Sequence, residues 1–261
     1  MSDKPKIYSY KTMDRIVTRL RDDLKNTDFV LIYAYNGTGK TRLSMAFKDK
    51  GKKKTHRPFT VNDHVGQPLT IEEVQADTLY FNAYTEDLFY WDNDLDGDTE
   101  RVLRINSESK FFAGLRELAL EDKIFGYLER YASFNFRIDY EQWTVTFYRD
   151  DTTHIKVSRG EENIFIWCIY LAICELAIDG DEAGPYSWVK YLYIDDPISS
   201  LDDNNAIAVA SDLANLLRRG RGKLKTVISS YHGLFFNVMC NELKKTKPKT
   251  YFFYCEKSAG T

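Results

Sequence analysis

The stretch Phe29-Val-Leu-Ile-Tyr-Ala-Tyr-Asn-Gly-Thr-Gly-Lys-Thr41 decides the fold of this chain. Its first five residues are apolar or aromatic and predict a buried strand, and the residues after Thr41, as far as Phe47, predict a helix. A glycine-rich loop between a strand and a helix is typical of phosphate-binding sites, because the backbone N–H groups there can hold phosphate oxygens. The sequence therefore predicts a nucleotide-binding domain.

The residue types in this loop each suit one part of phosphate binding. Lys40 would place its positive charge on the β- and γ-phosphate oxygens, and the hydroxyl of Thr41 can bind Mg²⁺. Ala34 stands where the strict pattern G-x-x-x-x-G-K-[ST] begins with glycine, and a residue this small still permits a tight turn. An ordinary glycine-rich turn is the alternative interpretation. The predicted nucleotide-binding residues are Asn36, Gly37, Thr38, Gly39, Lys40, Thr41 and Arg42.

A second apolar stretch ends in carboxylates, in Tyr191-Leu-Tyr-Ile-Asp-Asp-Pro-Ile-Ser-Ser-Leu-Asp202. A strand over residues 191–194 puts Asp195 at the carboxyl edge of the sheet beside the phosphate loop, where it can bind Mg²⁺ directly or through water. Asp196 would then face the attacking water. Two acids that merely cap a strand are the alternative, and the phosphate loop upstream makes it the weaker one.

Predicted strands and helices alternate along the rest of the chain. Near-continuous apolar strands between helices favour an α/β fold with a mainly parallel sheet. We expect one domain over residues 1–261, with an inserted antiparallel and helical subregion at about 86–180 and no long coiled coil. Helices are predicted over 11–26, 107–131, 158–178 and 204–217, strands over 78–81, 225–229 and 251–254, a hairpin over 134–148, and loops over 48–57 and 87–100.

The composition is that of a globular chain without a strong overall charge. Of 261 residues, 43% are hydrophobic and 29% are charged, and the formal net charge is -3. A surface that is a nucleic-acid footprint throughout is therefore excluded, and any polyanion must bind locally.

The cysteines and the apolar runs indicate a cytoplasmic protein. No CxxC pair is present, so we predict buried, reduced thiols at Cys168, Cys174, Cys240 and Cys255. Charged residues run through the amino-terminal segment, which excludes a secretory signal there. The longest apolar run, residues 164–174, is shorter than the roughly 20 residues that span a bilayer. We expect no membrane contact.

These residues resemble the ATP-binding cassette (ABC) ATPases, and among them the Rad50 and SMC branch. Residues 195–202 resemble the Walker B motif and D-loop, with Ser200 and Asp202 in the D-loop. His232 stands where that family has its switch histidine, which implies a catalytic role beside Asp196. The resemblance thus implies an ABC-ATPase-like P-loop NTPase that uses Mg²⁺ with ATP or GTP, and dTTP is a further possible nucleotide.

Ser158-Arg-Gly-Glu-Glu162 resembles the ABC signature motif at the start of a buried helix. Ser158 and Glu161 also match a capping box, and both interpretations can hold together. The resemblance implies that this segment faces the nucleotide bound by a second subunit, so that a homodimer or higher oligomer sandwiches two nucleotides head to tail. The implied signature residues are Ser158, Arg159, Gly160 and Glu161.

The chain also departs from the ABC pattern. Asp196 replaces the usual glutamate, and its shorter side chain predicts slow hydrolysis. Arg159 replaces the first signature glycine, which adds a charge where a phosphate would lie. No glutamine follows the predicted strand at 78–81, which leaves Asn82 and Glu86 as alternatives for the Q-loop role.

Longer strings, at residues 30–44, 81–94, 193–203 and 233–242, resemble the NTPase portion of PrrC-type anticodon nucleases. In that family an ABC-type NTPase half regulates a carboxyl-terminal ribonuclease half, which cleaves tRNA, typically lysine tRNA. A type I restriction-modification partner keeps the nuclease silent until phage interferes. The resemblance implies a regulatory NTPase domain for anti-phage defence, with tRNA contacted through a nuclease half that would begin after Thr261.

Two other functions stay open from the sequence. One is a nuclease-free ABC/SMC-type ATPase that senses DNA or phage. The other is that the chain cuts RNA itself, because Arg149 and His154 match the Arg-x4-His spacing of some helical ribonucleases. The residues on either side of that pair predict a hairpin instead of a helix, which disfavours the interpretation that the chain cuts RNA itself.

Overall fold

The computed structural model describes residues 6–59, 69–82, 88–93, 101–112, 115, 120–180, 183–198 and 203–255. Helices in these ranges are α1 (Met13–Asp23), α2 (Lys40–Lys50), α3 (Glu121–Leu128), α4 (Arg159–Asp179), α5 (Asp203–Arg219) and α6 (Gly233–Glu242). Strands are β1 (Phe29–Tyr33), β2 (Lys53–Phe59), β3 (Leu69–Gln75), β4 (Thr78–Asn82), β5 (Phe89–Asn93), β6 (Arg101–Ile105), β7 (Asn135–Asp139), β8 (Thr144–Arg149), β9 (Thr152–Thr153), β10 (Tyr191–Asp195), β11 (Lys225–Ser230) and β12 (Lys249–Phe252).

A five-stranded parallel sheet, in the order β12-β1-β11-β10-β4, forms the centre of the fold. One strand, β11, lies between β1, which leads into the predicted phosphate loop, and β10, which ends at Asp195. Because all five strands run the same way, the segments that follow their carboxyl ends meet at one edge. The predicted α/β class with a mainly parallel sheet is confirmed.

Helices cover both faces of this sheet, and the alternation of side chains along β1 shows why. Val30 and Ile32 belong to a core cluster with residues of α1 and α2, whereas Phe29 and Leu31 belong to a larger cluster with α4, α5 and α6. Successive side chains of a strand point to opposite faces, so an all-apolar strand needs a covering layer on each side.

The long helix α4 is the centre of the larger cluster. Every side chain from Ile164 to Cys174 is buried, including Trp167 and Tyr170. A helix that is apolar on all sides must be surrounded by protein. The predicted buried helix over 158–178 is therefore confirmed, and in the described ranges this 21-residue helix is the longest, without a coiled-coil arm.

An antiparallel sheet in the order β5-β6-β8-β7, with β9 beside β8, forms the inserted subregion. Its β7–β8 pair is the predicted hairpin. The predicted loops at 48–57 and 87–100 are wrong in part, because β2 pairs with β3 and β5 pairs with β6. The predicted helix at 107–131 is wrong at both ends, because the described residues 107–109 and 129–131 are not helical, whereas Lys110–Phe112 form a short 3₁₀ turn and Glu121–Leu128 form α3.

The cysteines correct another expectation. Cys168 and Cys174 are buried in α4, but Cys240 is half-buried and Cys255 is exposed, so the prediction of four buried thiols is wrong for the last two. In the ranges given above, no helix combines the length and the apolar character needed to cross a membrane.

Candidate functional site

The phosphate loop joins β1 to α2 through two glycines in left-handed conformations. Gly37 has φ 78° and Gly39 has φ 95°, values that favour glycine over any residue with a Cβ. The Thr38 hydroxyl donates a 2.7 Å hydrogen bond to the carbonyl oxygen of Tyr35 and closes the turn. Gly39 is the N-cap of α2, so the free N–H groups of the first helical turn face the loop.

Lys40 is the most deeply placed cation of the loop, with only 6% of its surface exposed. Its Nζ lies 3.2 Å from Asp196 Oδ2 and donates hydrogen bonds of 3.2–3.3 Å to the carbonyl oxygens of Ala34 and Tyr35 and to Asn36 Oδ1. A buried ammonium group needs such partners to compensate for lost hydration. The loop thus holds the charge of Lys40 at its centre.

Asp195 ends β10 and is 1% exposed. Its carboxylate accepts hydrogen bonds from Ser229 Oγ at 2.6 Å and from Ser44 Oγ at 3.2 Å. Burial raises the pKa of Asp195 above its ordinary value, and the hydrogen bonds from Ser229, Ser44 and Thr41 oppose that shift. The predicted metal residues Thr41 and Asp195 therefore lie together.

Ser44 and Ser229 were not predicted from the sequence. Ser44 is three residues beyond Thr41 on α2 and so lies on the same helical face, and Ser229 is opposite Asp195 in the register of β10 and β11. Helical spacing alone could have identified Ser44. Identification of Ser229 required the pairing of β10 with β11, which are about 30 residues apart in sequence.

Asp196 follows the strand in an unusual backbone conformation, with φ 47°. Its Oδ1 accepts a 2.8 Å hydrogen bond from the backbone N–H of Tyr231, and its Oδ2 faces Lys40. Burial raises the pKa of Asp196, while the N–H of Tyr231 and the charge of Lys40 act in the opposite direction. A sparsely populated backbone conformation that surrounding contacts hold in place is typical of functional sites.

His232 lies between β11 and α6, at the same sheet edge as the two aspartates. Its ring caps α6, because Nδ1 accepts a 3.4 Å hydrogen bond from the N–H of Phe235. In the neutral ring this bond places the proton on Nε2. The predicted catalytic pair, Asp196 and His232, is thus brought to one edge through β10 and β11.

Of the two Q-loop alternatives, Asn82 also reaches this edge. It ends β4 and is opposite Asp195 in the parallel register. Glu86 and the D-loop residues Ser200 and Asp202 lie outside the described residues.

The signature-like segment forms the amino terminus of α4. Ser158 caps the helix in a capping box: its Oγ accepts from the N–H of Glu161 at 3.3 Å, and Glu161 Oε2 accepts from the N–H of Ser158 at 2.7 Å. The latter bond holds the pKa of Glu161 below its ordinary value. Arg159 and Gly160 occupy the first turn of this helix.

The antiparallel subregion, rather than the phosphate loop, holds this cap in place. Arg149 at the end of β8 forms a 3.1 Å ion pair with Glu161, and Trp91 of β5 donates a 2.8 Å hydrogen bond to Glu162. His154 is exposed beyond the hairpin turn, so Arg149 and His154 belong to a hairpin, as their flanks predicted.

The donors around Asp195 fit a magnesium ion. Mg²⁺ prefers oxygen ligands, takes only one or two carboxylates and keeps waters and phosphate oxygens as its other ligands. A buried carboxylate with the hydroxyl of Thr41 beside it meets that requirement. Among the described residues no group of three or more His, Cys, Asp or Glu side chains is placed to hold a metal ion.

The sequence of this chain is similar to that of a known protein over most of its length. No protein-family model matches the chain. The chain is 37% identical over 231 residues to an anticodon nuclease of Escherichia coli, across 82% of this chain and 57% of the relative. It therefore spans little more than half the length of the relative that it matches. The predicted resemblance to anticodon nucleases is confirmed.

Two solved structures of SMC heads are also similar to this chain. An SMC head bound to the C-terminal winged-helix domain of ScpA is 11% identical with a TM-score of 0.39, over 81% of this chain and 84% of that chain. The SMC head domain from Thermotoga maritima is 12% identical with a TM-score of 0.31, over 82% of each chain.

Proposed function

We propose that this chain is the nucleotide-binding and nucleotide-hydrolysing regulatory portion of an anticodon nuclease. One observation carries the proposal: the phosphate loop, Asp195, Asp196 and His232 meet at one edge of the parallel sheet in a chain whose sequence resembles an anticodon nuclease. ATP or GTP, with dTTP as a further option, would bind there with Mg²⁺. Nucleotide-driven closure of a homodimer or higher oligomer would then control the nuclease.

The residues of the loop and of β10 would bind different parts of the nucleotide and its Mg²⁺. The N–H groups from Gly37 to Lys40 would hold the phosphates, and Lys40 would neutralise their charge. Thr41 and Asp195 would hold Mg²⁺, and Ser44 and Ser229 would fix the orientation of the Asp195 carboxylate. When bound, Mg²⁺ supplies positive charge that stabilises the phosphate oxygens.

Hydrolysis would proceed at Asp196, with His232 beside it. Partners that stabilise the ionised form of a carboxylate make it a weaker base towards water. Oδ2 of Asp196 is 3.2 Å from Lys40, and Oδ1 is 2.8 Å from the N–H of Tyr231. A short carboxylate that is tied to two neighbours supports slow turnover, so nucleotide hydrolysis would act as a timer rather than as a metabolic reaction.

The exposed amino terminus of α4 would complete the site of a second subunit. Ser158 and Arg159 are exposed, and the positive end of the helix dipole favours phosphate oxygens. The signature residues are held by the antiparallel subregion rather than by the phosphate loop of their own chain, which supports a role in trans.

The biological part of the proposal rests on the resemblance to anticodon nucleases. The output would be cleavage of tRNA, with lysine tRNA as the expected substrate, by a nuclease portion of the same protein. A type I restriction-modification complex would restrain it, and the whole would serve anti-phage defence in the cytoplasm. The similarity to an anticodon nuclease over 82% of this chain supports these expectations.

Replacement of Lys40 by alanine tests the nucleotide site. We expect K40A to reduce ATP and GTP binding to below detection by calorimetry, because no other loop side chain brings a positive charge to this depth. K48A, which removes a lysine from the same helix, should bind as the wild type does. Nucleotide affinity retained in K40A at the level of K48A would refute the assignment of the phosphate loop.

A further inference from the structure

We propose that the amino edge of the parallel sheet is a docking face for the phosphate backbone of RNA. This inference rests on the proposed function, because a tRNA-cleaving protein is what makes RNA the expected polyanion. The residues of this basic face come from two segments, at the α5–β11 connection and at the α6–β12 connection. They are Arg218, Arg219, Arg221, Lys223, Lys225, Lys244, Lys245, Lys247 and Lys249.

The sheet topology brings the two segments together. Lys225 begins β11 and Lys249 begins β12, and both strands pair with β1, which lies between them. Two hydrogen bonds join the segments to their surroundings: the Thr27 hydroxyl donates to the carbonyl oxygen of Lys247 at 3.3 Å, and Arg218 donates to that of Glu242 at 2.9 Å. Both segments therefore lie at the amino edge of the parallel sheet, and their nine cations make up the basic face.

The charge of this face is opposite to that of the whole chain. Four carboxylates pair with its arginines and Lys225, namely Asp28, Glu175, Asp179 and Glu242. Nine cations against four anions leave an excess of five positive charges in a chain with a net charge of -3. A local concentration of this kind attracts a polyanion despite an acidic composition.

The lysines of the α6–β12 connection are the cations best placed to bind phosphates. Lys244, Lys245, Lys247 and Lys249 are exposed, and none of them forms an ion pair with a described carboxylate. Lysines without a carboxylate partner can neutralise phosphates without first breaking a salt bridge. Each phosphate contact of this kind releases counterions and strengthens binding at low salt.

The absence of apolar side chains on the basic face favours RNA over a membrane surface. Among the described residues, no large exposed hydrophobic side chain lies within 218–225 or 244–249. Membrane-binding basic surfaces carry aromatic or leucine side chains that enter the lipid, and this face offers none. It also lies at the opposite end of the strands from the nucleotide, about 15–20 Å away at 3.3 Å per residue, so RNA and nucleotide can be bound together.

A triple charge reversal of the full chain tests the proposal. We expect wild-type protein to bind a fluorescently labelled tRNA transcript, as measured by anisotropy between about 50 and 200 mM salt. K244E/K245E/K249E should raise the Kd for this transcript by about tenfold or more, and should reduce the slope of log Kd against log salt by about two to three. Lys247 is kept, because its φ of 54° makes it a sensitive backbone position.

The control variant K6E/K11E/R137E makes the same change in net charge at exposed residues of the amino-terminal segment and of β7. It should leave tRNA affinity within about twofold of the wild type, since the proposal assigns binding to the face and not to the total charge. The proposal would be overturned if both variants lost the same amount of tRNA affinity, or if K244E/K245E/K249E lost none.

Nucleotide affinity, measured for the wild type and for both triple variants, separates this inference from the proposed function. Wild-type protein that binds nucleotide but no tRNA overturns the docking face and leaves the nucleotide site standing. Wild-type protein that binds tRNA but no nucleotide overturns the nucleotide site instead. Binding to phosphatidylserine vesicles without binding to tRNA would show that the face is a membrane surface and would overturn the proposal.

Discussion

At the scale of single residues, the ammonium group of Lys40 is the centre of the site. It forms an ion pair with Asp196, donates hydrogen bonds to the carbonyl oxygens of Ala34 and Tyr35, and lies 5.3 Å from the ring centre of Tyr231. In the proposed function, the carboxylate of Asp196 and the phosphates of a nucleotide would compete for the same positive charge. Asp196 would therefore affect both the affinity for nucleotide and its hydrolysis.

Asp196→Asn should move these two properties in opposite directions. Removal of the anion frees the charge of Lys40 for phosphate, so we expect nucleotide affinity to rise about three- to tenfold by calorimetry, in line with ~1 kcal/mol for a charge pair. Loss of the base should slow hydrolysis by about 10²–10⁴-fold and should trap a closed dimer, visible by light scattering with ATP present.

The neighbouring carboxylate provides the control for this change. Asp195→Asn removes the predicted magnesium ligand, so it should weaken Mg²⁺-dependent nucleotide binding instead of strengthening it. An Asp196→Asn protein with full hydrolytic activity would be inconsistent with Asp196 as the base.

At the scale of elements, α4 joins the core to the proposed dimer surface. Its middle is buried on all sides, whereas its first turn is exposed and closed by the capping box of Ser158 and Glu161. Trp91 and Arg149 hold that turn from the antiparallel subregion. These two contacts connect the antiparallel sheet to the segment that would contact the partner's nucleotide.

Ser158 can be tested by two substitutions that separate its two roles. Ser158→Ala removes the cap and should lower the free energy of unfolding by about 1 kcal/mol. Ser158→Asp keeps a capping oxygen, so the stability should stay near the wild-type value in urea unfolding. Both variants should fail to form the nucleotide-dependent dimer, because one lacks the hydroxyl and the other places a negative charge against phosphate.

A Ser158→Asp protein that still dimerises with ATP would show that Ser158 acts only as a helix cap. Light scattering at equal protein concentration compares dimer formation by the variants and the wild type. Urea titration of the same samples measures the free energy of unfolding and so reports the effect of the helix cap.

At the scale of the whole molecule, Arg21 joins α1 to the rest of the nucleotide-binding half. It forms a 2.7 Å ion pair with Asp77, donates to the carbonyl oxygen of Phe47, and lies 4.5 Å from the ring centre of Tyr191. Burial alone would raise the pKa of Asp77, but the hydrogen bonds from Arg21 and Thr78 bring it below its ordinary value. One side chain thus connects α1, α2 and the starts of β4 and β10.

Arg21→Ala should lower the free energy of unfolding by about 2–3 kcal/mol, because it leaves a half-buried carboxylate without its charged partner. Lys50→Ala breaks the exposed pair of Lys50 with Asp14 and should cost less than about 1 kcal/mol. Equal losses for the two variants in urea unfolding would show that Arg21 contributes no more than a surface ion pair.

The sequence predicted the elements whose signals are local. The strand, loop and helix around Lys40, the carboxylate strand before Asp196 and the cap at Ser158 depend on spacing within about ten residues, and all three are present. Strands β2 and β5 were predicted as loops, because their charged or mixed residues become strands only through pairing with β3 and β6. Propensity is a weak guide where a distant partner decides the state.

By itself the sequence determined the phosphate loop, the two aspartates and the alternation that requires a covered parallel sheet. Only the tertiary structure decided that Ser229 donates a hydrogen bond to Asp195, that Asp196 pairs with Lys40, and that two basic segments lie at the same edge of the sheet. The physical reason is that backbone conformation follows from neighbours along the chain, whereas these contacts depend on the strand order β12-β1-β11-β10, which brings together residues that are far apart in sequence.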